Sequence, residues 1–148
     1  MKISDFLAAG EVLTDVGASD KRQLLGELAQ RAGSAVDLPA DLILSELQQR
    51  EELGSTGMGG GVAIPHARLS RINKPFGMLV RLKKPIDFDA VDDEPVDTVF
   101  LLLLPETAAG DQLGALASAA RKLRDQATIA AVRRARNSVQ VYQALTAD

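Results

Sequence analysis

The chain contains a single histidine, His66, and its surroundings favour chemistry at the imidazole ring. The glycine-rich segment Gly54–Gly61, the short apolar run Val62–Ile64 and Pro65 precede it in that order. A neutral imidazole has one donor nitrogen and one acceptor nitrogen, so a hydrogen bond from the first fixes the lone pair of the second. Such a nitrogen acts as a nucleophile near pH 7. The competing interpretation is a histidine with a structural role only.

Arg50 is the second candidate, because it lies at the end of a predicted helix just before the glycine-rich segment. A guanidinium group in that place can bind two phosphoryl oxygens and offset the charge of a trigonal-bipyramidal transition state. Successive amides of the glycine-rich segment can form an anion-binding nest, to which Ser55 and Thr56 add hydroxyl donors. The alternatives are an arginine that caps its own helix and a flexible crossover loop. The combination with His66 favours a phosphoryl site.

The glycine pattern is not that of a nucleotide-binding loop. Gly54 and Gly59 have the Walker spacing, but Gly60 and Gly61 stand where Lys and Ser or Thr are needed. The dinucleotide-binding pattern fails at Val62, which takes the place of its third glycine. The segment also joins a helix to a strand, whereas the dinucleotide motif joins a strand to a helix. We therefore expect no nucleotide cofactor.

Composition excludes several other classes of function. A length of 148 residues predicts one domain, residues 1–148, and 46% apolar with 25% charged residues is typical of a globular protein. The net charge of −3 argues against a nucleic-acid partner. With no cysteine and one histidine, thiolate zinc sites, two-histidine metal sites and cysteine nucleophiles are excluded, and we expect no metal. The longest apolar run, Val99–Leu104, is too short to span a membrane. We expect a cytoplasmic protein without membrane insertion.

The first dozen residues or so are predicted to form a short extended or irregular segment. Two amphipathic helices are predicted between this segment and the glycine-rich segment. The first has Ser19 as its N-cap and closes at Gly33, and the second begins near Pro39 and ends before Gly54. Their apolar stripes are Leu24, Leu25, Leu28 and Ala32, followed by Leu42, Ile43 and Leu47.

Strands are predicted in the middle of the chain and helices at its end. Beyond Val62–Ile64, the strand candidates are Gly77–Leu82 and Val96–Leu104; the last is almost continuously apolar, as in a central strand covered on both faces. A turn-rich acidic stretch, Pro85–Pro95, separates them. Ser138 is the predicted cap of the last helix. This order predicts an α/β fold with helices on both faces of a sheet. The later apolar stripes are Leu113, Leu116, Ala117, Ala120 and Leu123, followed by Ile129, Val132 and Ala135.

The segments Arg50–Gly59 (REELGSTGMG) and Gly61–Ala67 (GVAIPHA) resemble the phosphohistidine segment of the fructose/mannitol-type enzyme IIA domains. These domains belong to the phosphoenolpyruvate-dependent phosphotransferase system, and the match favours its nitrogen-regulatory branch. Lys84–Asp89, Pro95–Asp97 and Leu123–Asp125 support it, so the resemblance extends over essentially the whole chain.

The resemblance implies a three-layer α/β/α sandwich with a mixed central sheet. It implies that His66, at Nε2, accepts a phosphoryl group from the phosphohistidine of an HPr-like carrier, assisted by Arg50. The anion-binding nest described above would bring Ser55, Thr56 and Gly57 against that phosphoryl group, and the resemblance implies no bound metal or nucleotide. Transfer between two histidines exchanges one phosphoramidate for another, so such a site supplies mainly alignment and electrostatic complementarity.

The chain departs from the family at Gln112, where many members carry a second active-site histidine. Glutamine can donate a hydrogen bond to a phosphoryl oxygen, but it cannot gain a proton. We expect phosphorylation that is slower or less sensitive to pH, or a Gln112 that replaces a structural hydrogen bond.

The next step of the phosphoryl group has several interpretations. Without cysteine in this chain, a sugar relay needs a separate enzyme IIB. The stand-alone length favours a regulator whose two phosphorylation states bind different targets. A third possibility is an interaction module indifferent to phosphorylation. A hydrolase with His66 as general base lacks a nucleophile.

Overall fold

The computed structural model describes residues 1–106 and 109–147, and the side chains of residues 109–113 lie outside its description. The predictions for the side chains of Gln112 and Leu113 therefore fall outside the described residues. The helices are α1 (Lys21–Val36), α2 (Ala40–Glu52), α3 (Ala109–Arg124), α4 (Gln126–Arg134) and α5 (Ser138–Thr146). The strands are β1 (Leu7–Val16), β2 (Gly57–Gly59), β3 (Val62–Ala63), β4 (His66–Leu69), β5 (Phe76–Ile86) and β6 (Val96–Pro105), and a 3₁₀ turn, Ile3–Asp5, precedes β1.

The six strands form one mixed sheet in the order β1-β5-β6-β3-β2, with β4 also paired to β6. Strand β5 is antiparallel to β6, whereas β3 and β4 are parallel to it and lie one after the other along its opposite edge. Strand β1 is parallel to β5, and β2 is antiparallel to β3. The predicted α/β fold with a mixed sheet is confirmed.

The central strand β6 separates two apolar cores. Leu101 and Leu103 pack with residues of α1 and α2, whereas Phe100 and Leu102 pack with residues of α3, α4 and α5. Successive strand residues point to opposite faces, so the unbroken apolar run supplies both cores. The sheet is thus the middle of three layers, as predicted.

The first strand and the first helix differ from the prediction in their bounds. Strand β1 has ten residues and pairs with β5, although its burial pattern is irregular and hides the two-residue period. The N-cap of α1 is Asp20, whose carboxylate accepts a hydrogen bond from the Gln23 amide at 2.8 Å, so the Ser19 prediction was wrong. The helix also continues past Gly33 to Val36. A Cβ at Gly33 would lie 2.7 Å from the Leu38 carbonyl oxygen, so this glycine permits a close chain return.

Two details of the C-terminal helices also differ. Asn137 caps α5 by accepting a hydrogen bond from the Gln140 amide at 2.9 Å, so the prediction of Ser138 was wrong by one position. In α3 the buried residues are Ala115, Ser118, Ala119 and Leu123. Only Leu123 belongs to the predicted stripe, whereas Ala117 is exposed.

The glycine-rich segment contains a β-hairpin where the sequence predicted only a loop. Strands β2 and β3 pair through Gly59 and Val62, leaving Gly60 and Gly61 as a two-residue turn. Their φ angles are 67° and 81°, a left-handed geometry that glycine adopts without steric cost. The hairpin brings the residues after α2 next to the start of β4.

Candidate functional site

His66 is the first residue of β4. The sequence predicted it just beyond the end of a short strand, and in the structure that strand is β3. Its Cα pairs with that of Leu102 on β6, and the Pro65 carbonyl accepts a hydrogen bond from the Leu102 amide at 3.0 Å. The Ile64 amide donates to the Thr56 carbonyl at 3.0 Å. The backbone on the N-terminal side of the half-buried histidine is therefore held by the sheet and by the glycine-rich segment.

The partners of the imidazole define its tautomer. Nδ1 of His66 lies 2.9 Å from the Ile64 carbonyl oxygen, which only accepts hydrogen bonds, so the proton is assigned to Nδ1. Nε2 lies 3.3 Å from Nε of Arg50, whose N–H donates to the Nε2 lone pair. The structure thus assigns Nε2 as the unprotonated nitrogen.

The environment also keeps the ring neutral. Burial, the principal cause, lowers the pKa of His66 below its ordinary value of 6.5, and the positive charge of Arg50 lowers it further. The hydrogen bond to Ile64 and the negative charge of Glu51 oppose the lowering of the pKa but do not reverse it. Near pH 7 the ring is therefore neutral and Nε2 carries no proton.

Arg50 lies in the last turn of α2 and has two contacts. Nη1 donates to the Gly54 carbonyl at 2.9 Å, just beyond the helix end, while Nε contacts His66. The guanidinium group therefore caps the helix, as one of the two interpretations of this residue expected, and it also faces the histidine. Its binding of phosphoryl oxygens stays a prediction. The position of the Gly54 carbonyl helps to orient the guanidinium plane.

An open cavity of about 590 Å³ lies in front of His66. Arg50, Ser55, Thr56 and Gly57 line it together with the histidine, so these five residues predicted for the site share one cavity. Further lining residues that the prediction did not place in the site are Met58, Ile64, Val91, Leu116, Ala117, Ala120 and Arg124. Leu116, Ala117 and Ala120 belong to the predicted apolar stripe. Leu116 and Ala120 pack partly buried against the core, and all three also border the cavity.

The donors of the glycine-rich segment already have acceptors inside the chain. The amide and the hydroxyl of Thr56 donate to the carboxylate of Glu51, and the Ser55 hydroxyl donates to the Phe88 carbonyl at 2.7 Å. The Gly57 amide donates to the Ser55 hydroxyl oxygen at 3.0 Å. A Cβ at Gly57 would lie 2.9 Å from Ala90, so glycine is needed there for close packing.

Comparison with known families fits this geometry. The family model of the phosphoenolpyruvate-dependent sugar phosphotransferase system, EIIA 2, matches residues 5–148. The chain belongs to this EIIA family. The resemblance seen in the sequence is confirmed.

Relatives of the EIIA domain point to the nitrogen branch. The chain is 43% identical over 145 residues to a nitrogen regulatory protein of Bradyrhizobium diazoefficiens, covering 98% of this chain and 95% of that protein. It also matches the crystal structure of the nitrogen regulatory protein IIA-Ntr of Neisseria meningitidis, with a TM-score of 0.92, 32% identity and coverage of 97% and 99%. The mannitol IIA of Escherichia coli shares the fold, with a TM-score of 0.78, 16% identity and coverage of 93% and 97%.

The described part of this EIIA chain contains neither a membrane-spanning helix nor a cluster of metal ligands. None of its helices is long and apolar enough to cross a membrane. No group of three or more His, Cys, Asp or Glu side chains within the described ranges is placed to hold a metal ion.

Proposed function

We propose that this EIIA protein carries a phosphoryl group on Nε2 of His66, accepted from the phosphohistidine of an HPr-like carrier in the cytoplasm. The observation that supports the proposal most directly is the orientation of the ring. Nδ1 donates to the Ile64 carbonyl, and the unprotonated Nε2 lies against the guanidinium group of Arg50.

The transfer is an exchange of one N–P bond for another. The Nε2 lone pair attacks phosphorus while the bond to the donor nitrogen breaks, and the bonding electrons return to the donor imidazole. The His66 ring keeps its Nδ1 proton and becomes positively charged, and the Ile64 carbonyl stabilises that charge by accepting from Nδ1. No metal or nucleotide takes part in this step.

Arg50 has to change its contact during the transfer. In the described state its Nε–H donates to the same lone pair that makes the new bond. We propose that the guanidinium group moves from Nε2 to the phosphoryl oxygens, where its planar donors bind two of them at once. Ser55, Thr56 and Gly57, with donors already engaged, form the wall of the cavity against which the phosphoryl group would lie. A hydrogen bond from Gln112 to a phosphoryl oxygen stays a prediction from the sequence.

A regulatory output is the second part of the proposal. The relatives from Bradyrhizobium diazoefficiens and Neisseria meningitidis named above are nitrogen regulatory proteins. Apolar side chains lie close to the site, with Leu53 85% and Val91 77% exposed. A phosphoryl group adds nearly two negative charges beside this apolar surface, which changes the proteins that can dock there. The two phosphorylation states would therefore bind different regulatory targets.

The test is phosphoryl labelling. The chain is incubated with phosphoenolpyruvate, enzyme I and an HPr-type carrier, and intact mass is measured. The expected result is one acid-labile phosphoryl group per chain, lost in His66→Ala and retained in the surface control Arg31→Ala. Undiminished labelling of His66→Ala contradicts the proposal. Transfer from the labelled protein to a separate enzyme IIB faster than hydrolysis would favour the sugar relay over regulation.

A further inference from the structure

A buried carboxylate lies directly behind the site. The Glu51 side chain is 7% exposed, and it neighbours Arg50 on α2. It accepts hydrogen bonds from the Thr56 amide, at 3.1 Å, and from the Thr56 hydroxyl. Its charge is paired with Lys21, whose Nζ lies 2.8 Å from a carboxylate oxygen. A carboxylate retained in such a place is satisfied by specific partners on two sides.

Lys21 connects this carboxylate to a third segment. Its Nζ lies 4.6 Å from the centre of the Phe88 ring and 3.4 Å from the Phe88 carbonyl oxygen. The Ser55 hydroxyl donates to that same carbonyl from the glycine-rich segment. Residues 55 and 56 are therefore held between the Phe88 carbonyl on one side and Glu51 on the other.

These contacts hold the chain immediately after the Gly54 carbonyl. Gly54 has φ of 151° and its Cβ position faces open space, so its own packing restrains it little. Its position depends on the end of α2, where its amide donates to the Glu51 carbonyl, and on the anchored residues that follow. The Gly54 carbonyl in turn accepts from Nη1 of Arg50. Glu51 thus reaches the guanidinium group of Arg50 through the backbone of residues 54–56.

We propose that Glu51, paired with Lys21, is a positioning residue for phosphoryl transfer, because it anchors the backbone that orients Arg50 towards His66. Glu51 does not line the cavity that receives the phosphoryl group. Its negative charge acts on the histidine directly only by raising the pKa of His66, against the lowering by burial. The inference rests on the proposed function. It assigns to Glu51 the alignment of the transition state and no part in the affinity for the donor.

The first experiment measures single-turnover labelling of Glu51→Gln over a range of donor concentrations. We expect the maximal rate to fall by about 10- to 100-fold, because misaligned reacting groups react more slowly. The donor concentration that gives half of the maximal rate should not change. The matched control is Glu27→Gln, which removes the carboxylate of the exposed Glu27–Arg31 pair on α1 and is expected to label at the wild-type rate. If Glu51→Gln folds poorly, Lys21→Met replaces it in the same experiment, because Lys21 is the more exposed partner of the same ion pair.

The decisive arm is a double-mutant cycle with Arg50→Met. If Glu51 acts through Arg50, Glu51→Gln lowers the rate in the wild-type background and has little further effect when Arg50 is already absent. A Glu51 with a merely structural role lowers the rate equally in both backgrounds, which overturns the inference.

A second readout does not depend on the donor protein. The Nε–H proton of Arg50 is expected to exchange with water faster in Glu51→Gln than in the wild type, measured by nitrogen-15 NMR. Unchanged exchange together with an unchanged rate refutes the positioning role. A wild-type chain that takes no label refutes the proposed function instead, so the two failures are distinguishable.

Discussion

At the scale of single residues, the two contacts of the His66 ring carry the account. Sequence context placed this histidine beside a glycine-rich segment and an arginine, and the structure brings Arg50 and His66 into contact as expected. The sequence could not show which nitrogen is free, because that depends on where the Ile64 carbonyl points. It also could not show that the Thr56 donors serve Glu51, since a hydroxyl in a loop has many possible acceptors.

The pKa of His66 gives a prediction at this scale. Its proton titration followed by NMR should have a midpoint below 6.5, and Arg50→Met should move the midpoint upwards because a nearby positive charge is removed. With a lowered pKa in the folded state, the unfolded chain binds the proton first, so the histidine costs stability as the pH falls below 6.5.

Unfolding by urea checks the same linkage. Between about pH 8 and about pH 5, the wild type should lose more stability than His66→Gln, which has no titrating ring. A His66→Gln variant that loses more stability than the wild type over this interval would contradict the sign of the shift.

At the scale of elements, the presence of a helix or strand was easier to predict from the sequence than its first and last residues. The apolar run of β6 and the stripes of α1 and α2 are strong signals because burial on a sheet imposes them. The sequence did not predict the full length of strand β1, because its exposed middle residues lack the alternation of buried and exposed side chains. The hairpin of β2 and β3 was hidden because five glycines carry no apolar pattern, although two adjacent glycines suit its turn.

The cap of α5 can be tested by a pair of neighbouring substitutions. Asn137→Ala should destabilise the protein by about 1 kcal/mol, because the Gln140 amide loses its acceptor. Ser138→Ala should change stability by less than about 0.5 kcal/mol, because that residue is already within the helix. Equilibrium urea unfolding of both variants measures the difference, and a larger cost at Ser138 would contradict the assigned cap.

At the scale of the whole molecule, one sheet joins two apolar cores. Residue 101 of β6 belongs to the core under α1 and α2, and residue 102 belongs to the core under α3, α4 and α5. The site lies where the two halves meet, since Arg50 comes from α2 while Leu116 and Arg124 of α3 border the same cavity. The relative placement of these parts depends on the integrity of the whole sheet.

Shared packing predicts a single cooperative unfolding transition, as expected for one domain over residues 1–148. Leu101→Ala and Leu102→Ala should each cost about 2–5 kcal/mol, because each removes a fully buried side chain from one core. Within each variant, the circular dichroism of the helices and the NMR signal of His66 should lose their native values at the same urea concentration. Two separate transitions would show that the layers on either side of the sheet unfold independently.

The central claim is that Nε2 of His66 is the free nitrogen and the phosphoryl acceptor. Long-range proton–nitrogen NMR of the nitrogen-15-labelled protein tests it cleanly, because the chain has one histidine. Before labelling, the proton should be on Nδ1 and Nε2 should show the shift of an unprotonated nitrogen. After incubation with phosphoenolpyruvate, enzyme I and the HPr-type carrier, Nε2 should show coupling to phosphorus. A proton on Nε2 in the resting protein, or coupling to phosphorus at Nδ1, would contradict the account.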